Sequence, residues 1–304
     1  MILTLGDFLK RYEKKAIEVF NNQVPVNPKV SVCVQTYNHI GFIKECLDGV
    51  LSQKTSFDFE ILLGEDFSND GTRSVCLEYA KKYPKKIKLI LHHRENNIKF
   101  NGSPTGRFNI LTNLLSANGE YIALCEGDDY WTDPLKLQKQ VDFLDKNRDY
   151  GICFHETQTY FQDEKRFESN ETSIHIPETS SFLELANYNF IVTPSAMLRN
   201  DIEIPLWYCG LPIGDWPLYF IQLKDRKIKK LPEEMAVYRI HGNGAWTSAS
   251  QKRRLQIDVS TIKPILEHIN LPKEAAKRLN ENYKKKIKKL NLLNLKSFFK
   301  LKTG

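Results

Sequence analysis

The 304-residue chain has no Gly-x-x-x-x-Gly-Lys-[Ser/Thr] segment and no Gly-x-Gly-x-x-Gly after its first strand-like run. A glycine-rich cradle for phosphates is therefore not expected. Its six cysteines, at 33, 46, 76, 125, 153 and 209, form no Cys-x-x-Cys pair, which argues against a structural zinc site. Cys33, Cys125 and Cys153 lie in apolar runs and read as small buried thiols of a reducing compartment. No stretch approaches the roughly 18 consecutive apolar residues of a spanning helix. Met1 to Leu9 is apolar but is interrupted by Asp7 and follows no basic segment, so it does not read as a secretory signal. The expectation is a cytoplasmic protein, attached to a membrane surface at most.

A basic body is also missing. The formal net charge is +7. Glu281 to Gly304 alone holds eight lysines (284, 285, 286, 288, 289, 296, 300 and 302) and one glutamate, so this tail carries the whole excess. The near-neutral remainder argues against a nucleic-acid-binding core. Ile287, Leu290, Leu292, Leu293, Leu295, Phe298 and Phe299 alternate with those lysines. The pattern fits an amphipathic helix on an anionic membrane surface, and equally a helix packed on the body or solvated.

Hydrophobic residues at 41% and aromatics at 11% suffice for a sizeable core. Apolar spacing predicts a helix over 3–22, broken by Asn21 to Pro28. From Lys29 strands and helices alternate. Strands are expected at Val30 to Val34, Phe59 to Gly64, Ile87 to Leu91 and Glu120 to Cys125. Helices are expected over 42–51, 72–82, 108–116 and 134–145, the last capped by Thr132 or Asp133. Such alternation implies right-handed βαβ units and a mostly parallel sheet. Beyond Tyr150 the alternation fades into a mixed extension, with strands at 150–154 and 191–198 and helices at 182–186 and 217–223. The chain divides into an N-terminal helical appendage (1–27), an α/β domain (28–249) and a basic helical extension (250–304).

Polar motifs follow three of the strands: Gln35-Thr36-Tyr37-Asn38, Glu65 to Thr72, and Glu126-Gly127-Asp128-Asp129. All fall at carboxyl ends of parallel strands, the edge where open α/β sheets bind ligands. Ser68 to Thr72 suits turn and cap chemistry as well as function. Asp66 directly ends a strand, where a carboxylate can accept from a base or ribose. Three carboxylates in four residues repel one another unless a cation neutralises them, and an oxygen set selects Mg2+ or Mn2+ bridging to substrate phosphates. A solvated acidic loop is the alternative, although Tyr121 to Leu124 and Tyr130-Trp131 hold this loop near the core.

The runs VSVCVQTYN (30–38), FEILLGEDFSNDGT (59–72), GEYIALCEGDDYW (119–131), GDWPLY (214–219) and AVYRIHGNGAWTS (236–248) together resemble the inverting glycosyltransferases of family two, and the last is similar to bacterial surface-polysaccharide members. The resemblance spans about residues 28 to 248. It implies a GT-A, Rossmann-like, mostly parallel sheet flanked by helices. It implies a nucleotide-sugar donor, with a UDP-sugar the expected one, and a glycan or lipid-linked acceptor. By position, Thr36, Tyr37 and Asn38 shape the nucleotide pocket and Asp66 binds the base. Arg107 stands where a base or phosphate contact is frequent, although its spacing to Gly119 is not the usual one. Glu126 takes the first place of an Asp-x-Asp motif and is assigned to the donor site. Asp128 serves donor and metal, and Asp129 and His241 the metal. Asp215 matches the catalytic base, a role its chemistry suits, since inversion needs a base on the acceptor's side; it would also serve as a helix cap. Asn243 between Gly242 and Gly244 reads as a hinge, with Trp246 closing over substrate. Sugar nucleotidyltransferase or non-catalytic nucleotide-sugar-binding protein are the rival readings.

Overall fold

The structure is a computed structural model that describes residues 1–302 except 170–175, 243 and 245–248, with side chains through 294 apart from Ser169. The expected hinge residue Asn243 and the lid residue Trp246 lie outside the described residues.

Four strands form the parallel half of the sheet: β1 (Val30–Thr36), β2 (Phe59–Glu65), β3 (Ile87–Leu91) and β4 (Tyr121–Glu126). They stand in the order β3-β2-β1-β4, and β1 pairs in parallel with both β2 and β4. β1 and β2 are almost wholly buried, as expected of parallel strands covered on both faces; the Ser31 hydroxyl inside β1 donates to Glu60 inside β2 at 2.6 Å. The other half is β5 (Tyr150–Phe161), β6 (Met197–Arg199) and β7 (Lys227–Ile240). β6 runs antiparallel to both β4 and β5, and β7 is parallel to β5. All long strands therefore share one direction, and their carboxyl ends share one edge.

Helices cover both faces. On one side α2 (Ile43–Leu51), α3 (Thr72–Lys82) and α5 (Lys136–Lys146) pack on Val32, Val34, Ile61 and Leu63. On the other lie α1 (Leu5–Tyr12), α4 (Arg107–Ser116), α6 (Asp215–Leu223), α7 (Gln251–His268) and α8 (Lys273–Lys302), packed on Cys33, Leu62, Ile122 and Leu124. Phe8 meets Phe108 at 5.2 Å between ring centroids. All six cysteines are buried and free.

The elements depart from expectation in four places. The first helix is short: a Thr4–Asp7 capping box starts it, and it stops at Tyr12. The N–H groups of Lys14 and Lys15 then donate to Asn96 Oδ1, each at 2.8 Å. Glu18–Val19 adds an antiparallel edge to β3, so a long-range partner overrides the local helical pattern. Helix α5 begins two residues late, capped by Leu135 rather than Thr132 or Asp133; Asp133 Oδ1 accepts from Leu135 N–H instead. Residues 191–198 hold a 3-10 turn, Thr193–Ser195, before β6. The 14-residue β7 was not expected at all. Pro232, Glu233 and Glu234 interrupt its alternation, and register shifts on β5 absorb them.

In the C-terminal extension α7 and α8 pack together, burying Ile262, Ile265, Ala275 and Leu279. Lys286 Nζ pairs with Asp258 at 2.5 Å. No helix among the described residues is long and apolar enough to cross a membrane.

Lys136, fully buried on α5, gives Nζ to Gln140 Oε1 at 2.8 Å and lies over the Trp131 ring at 4.0 Å. Burial pulls its pKa down from 10.5 to about 7. The unfolded chain keeps this proton to pH ~10.5 while the folded chain releases it near 7, so its contribution to stability rises with pH through that window. Lys136→Met is expected to stabilise the fold by about 1–4 kcal/mol at neutral pH and below, less the cost of leaving Gln140 Oε1 without its donor. Denaturant unfolding from pH 7 to 10 should show the gap to wild type narrowing. A pH-independent gap would mean the amine is not held neutral.

Candidate functional site

Asp66, the residue after β2, is tied to β1 by its N–H donating to Thr36 O at 3.0 Å. Its buried Oδ2 accepts from Arg94 Nη1 at 2.5 Å and Asn97 Nδ2 at 2.7 Å. Burial raises its pKa to about 6 against the pull of those donors. The Arg94 guanidinium lies 3.9 Å from the ring of Tyr37, which is 39% exposed. A planar aromatic and a carboxylate thus stand side by side at the mouth of the sheet, an arrangement suited to a nucleobase.

Asn38 takes a left-handed backbone (φ 54°). Its Oδ1 accepts from Asn69 N–H at 3.2 Å, and its own N–H donates to Ser68 Oγ at 2.9 Å. Asp70 accepts from Ile40 N–H and from the N–H and hydroxyl of Thr72. Ser68, Asn69 and Asp70 therefore clamp the Tyr37–Ile40 loop, the turn chemistry expected of this segment, while the cap of α3 is Gly71.

The acidic loop follows β4. Ligand atoms of Glu126, Asp128 and Asp129 lie within 4.8 Å of one another. Gly127 is required between them: a Cβ there would stand 2.8 Å from Thr36 Oγ1, which itself is buried and has no partner among the described residues. Asp129 Oδ1 accepts from Arg239 N–H at 2.8 Å. Asp128 Oδ2 faces His241 Nε2 at 3.1 Å and His39 Nε2 at 3.8 Å. Asp128 Oδ1 and Asp129 Oδ2 are buried without a hydrogen-bond partner among the described residues. Burial, then the charges of Asp128 and Asp215, push Glu126 up to about 8. Burial and the same crowding raise Asp129. Burial also opposes ionisation of Asp128, but His241 and His39 hold its pKa below the usual range. Two orphaned carboxylate oxygens in a repelling trio fit a divalent cation.

Arg239 on β7 braces this loop. Its Nε donates to Asp128 O at 2.8 Å, and its other nitrogens reach Gln162 and Glu45.

Asp215 is the first residue of α6, with Gly214 as the cap, so the capping role expected of it falls one residue earlier. Asn189 Nδ2 donates to Asp215 Oδ2 at 2.6 Å, and burial raises the carboxyl's pKa. Arg107 is buried at this end of the site rather than beside Asp66. Its Nη2 donates to Tyr208 O at 3.0 Å, and its guanidinium lies 4.2 Å from the Tyr208 ring. A Cβ on Gly214 would meet its Nη1 at 2.1 Å, so Arg107 also packs against the Gly214–Asp215 turn. Tyr238 on β7 stands in the field of four carboxyls: burial first, then Asp129, Glu126, Asp128 and Asp215, raise its phenol.

Sequence reasoning missed His39, Arg94, Asn97, Asn189 and Arg239. His39 adjoins the quoted Thr36–Asn38 motif and Arg239 stands two residues before His241, so proximity was a usable signal for both. Arg94, Asn97 and Asn189 arrive from loops whose pattern announces nothing.

The family model for glycosyl transferase family 2 matches residues 31–204. A Mycobacterium bovis protein, Mb1547, is 39% identical over 229 residues, which cover 74% of this chain and 62% of that protein. The chain thus spans under two thirds of that relative's length. TuaG of Bacillus subtilis, described as a putative teichuronic acid biosynthesis glycosyltransferase, is 32% identical over 117 residues, 38% of this chain and 42% of that one. Among solved structures, S. aureus TarS bound to UDP-GlcNAc superposes with a TM-score of 0.57 at 20% identity, over 85% of this chain and 72% of that chain. The Pyrobaculum calidifontis mannosyltransferase PcManGT, bound to GDP-Man and Mn2+, does so at 0.59 and 18%, over 90% and 74%. These likenesses make the fold GT-A. With the family model spanning more than half of its length, the chain belongs to glycosyltransferase family 2.

Proposed function

We propose that this protein transfers one sugar from a nucleotide sugar, a UDP-sugar in the favoured reading, to a hydroxyl of a glycan or lipid-linked acceptor, with inversion. The observation that carries it is the trio Glu126, Asp128 and Asp129, whose ligand atoms lie within 4.8 Å of one another with two carboxylate oxygens left without hydrogen-bond partners among the described residues, on the sheet edge that also holds Asp66. That edge offers, in order, a base contact, a cation site and a proton acceptor.

Asp66, fixed by Arg94 and Asn97, would receive the base against the Tyr37 face. Asp128 and Asp129, with Glu126 beside them and His241 on Asp128, would hold Mn2+ or Mg2+. Bound there, the cation supplies Lewis-acid neutralisation of the departing diphosphate. Asp215 would take the proton of the acceptor hydroxyl as that oxygen bonds to the anomeric carbon, while the bond from that carbon to the diphosphate oxygen breaks and its electron pair leaves with the diphosphate. Exposed Lys284, Lys285, Lys288 and Lys289 share one face of α8, which would suit an anionic membrane carrying a lipid-linked acceptor.

A panel of UDP-, GDP- and other nucleotide sugars, each with Mn2+ or with EDTA, tests the reading by thermal unfolding and nucleoside diphosphate release. The matching donor at about 100 times its Kd is expected to stabilise by ~2.7 kcal/mol, with EDTA removing most of the effect. Stabilisation by no member of the panel would overturn the proposal.

A further inference from the structure

We propose that Asn189 is the positioning residue of the acceptor-side carboxylate, with its side-chain amide fixing the rotation of Asp215 so that one oxygen is left to take the acceptor's proton. The inference rests on Asp215 being the base. Asn189 lies on the loop after the single-turn helix Phe182–Leu185. Its Nδ2 donates to Asp215 Oδ2 at 2.6 Å. A carboxylate only accepts, so the amide must turn its NH2 toward Asp215 and its carbonyl away. That carbonyl oxygen is buried and has no hydrogen-bond partner among the described residues. Among the described residues, Asp215 is the hydrogen-bond partner that holds the amide. An unsatisfied buried carbonyl disfavours the native fold, which a side chain present only for packing would not need to carry.

The loop is held rigid from both sides. Phe190 packs its ring 5.6 Å from that of Phe154 on β5. Asn282 Nδ2 on α8 donates to Asn187 O at 2.8 Å, and Arg278 Nη1 donates to Asn187 Oδ1 at 2.9 Å. The C-terminal extension thus braces the segment that aims Asn189. The charged and titratable groups sharing the space of Asp215 are Arg107 and Tyr208 beneath it, Tyr219 one turn along α6, and Glu126 and Tyr238 across the site. Of these, Arg107 is the cation, and it is engaged by Tyr208. Against burial, the ionised form of Asp215 is favoured first by the Trp216 backbone N–H and then by Asn189, which is the side-chain donor to it and the one a substitution can remove.

The test uses full-length wild type, Asn189→Ala, Asn189→Asp and Asp215→Asn, each checked for wild-type-like unfolding. Aspartate labelled with 13C at the side-chain carboxyl reports ionisation, and the Asp215 signal is identified by its loss in Asp215→Asn. The midpoint for Asp215 is expected to rise by about one pH unit in Asn189→Ala, from loss of a donor to the charged form, and further in Asn189→Asp. Donor hydrolysis is followed in parallel with UDP-GlcNAc, or the donor found in the panel, using water as acceptor. A kcat reduced about tenfold in Asn189→Ala, with donor KM within twofold of wild type, supports the proposal. An unmoved midpoint in both Asn189 variants overturns it, as does a moved midpoint with unchanged kcat where Asp215→Asn is inactive. If Asp215→Asn hydrolyses donor at the wild-type rate, the assignment of the base falls, and with it the proposed role of Asn189; the midpoints then still report whether the hydrogen bond exists.

Discussion

Asp215→Asn is expected to lower sugar transfer by about 10²- to 10⁴-fold, the usual contribution of general-base catalysis, with donor affinity nearly unchanged. The reasoning is geometric. Asp215 opens α6, whereas Asp66 and the acidic loop lie at the ends of β2 and β4, so a substitution at Asp215 leaves the proposed nucleotide and cation contacts in place. Asparagine preserves shape and can keep an amide-to-amide contact with Asn189, so the fold and the nucleotide pocket should survive. What disappears is the capacity to accept a proton. Steady-state kinetics separates the outcomes: kcat falls while donor KM stays within a few-fold. A variant with wild-type kcat would remove Asp215 from the reaction.

Asp128→Asn is expected to abolish cation-dependent stabilisation by the nucleotide sugar, with Mn2+ affinity reduced by about 100-fold or more, beyond the 10- to 100-fold cost of losing a ligand's supporting partner. Asp128 is the member of the trio whose Oδ2 is flanked by His241 and His39 and whose Oδ1 has no hydrogen-bond partner among the described residues. The variant also gives up the pairing of the ionised carboxylate with His241 and His39, which holds its pKa low, so without Mn2+ it should melt slightly below wild type. The readout that separates a ligand from a scaffold residue is therefore the increment added by Mn2+, which loss of a purely structural carboxylate would leave unchanged. Calorimetric titration with Mn2+ and thermal unfolding in EDTA supply the two readouts. Equal Mn2+ affinity in the variant would exclude Asp128 from the cation site.

Much of the fold was legible because the parallel strands announce themselves. Val30 to Thr36 and Phe59 to Glu65 are buried on both faces, and their apolar residues are concentrated in short runs rich in Val, Ile and Leu. The helices between them carry apolar residues at helical spacing, and alternation then dictates the topology. The antiparallel half was harder. β7 hides behind Pro232, Glu233 and Glu234, whose polar interruption is tolerated only because a bulge lets β5 keep its pairing. The stop of α1 at Tyr12 depends on Asn96, more than eighty residues away, capturing two backbone N–H groups. No local pattern encodes such a partner.

The same division runs through the site. By itself the sequence determined which carboxylates end the strands, because Asp66, Glu126, Asp128 and Asp129 follow directly on β2 and β4 and strand direction places them on one edge. It also singled out Asp215 and His241 through short motifs. Tertiary structure alone decided what each of these groups faces. It brought Arg94 and Asn97 to Asp66, His39 to Asp128, Arg239 to the acidic loop, Asn189 to Asp215 and Tyr208 to Arg107. The physical reason is that a strand fixes the position and direction of its own residues through backbone pairing, whereas the partner of a side chain is set by which distant loops the packed core brings alongside.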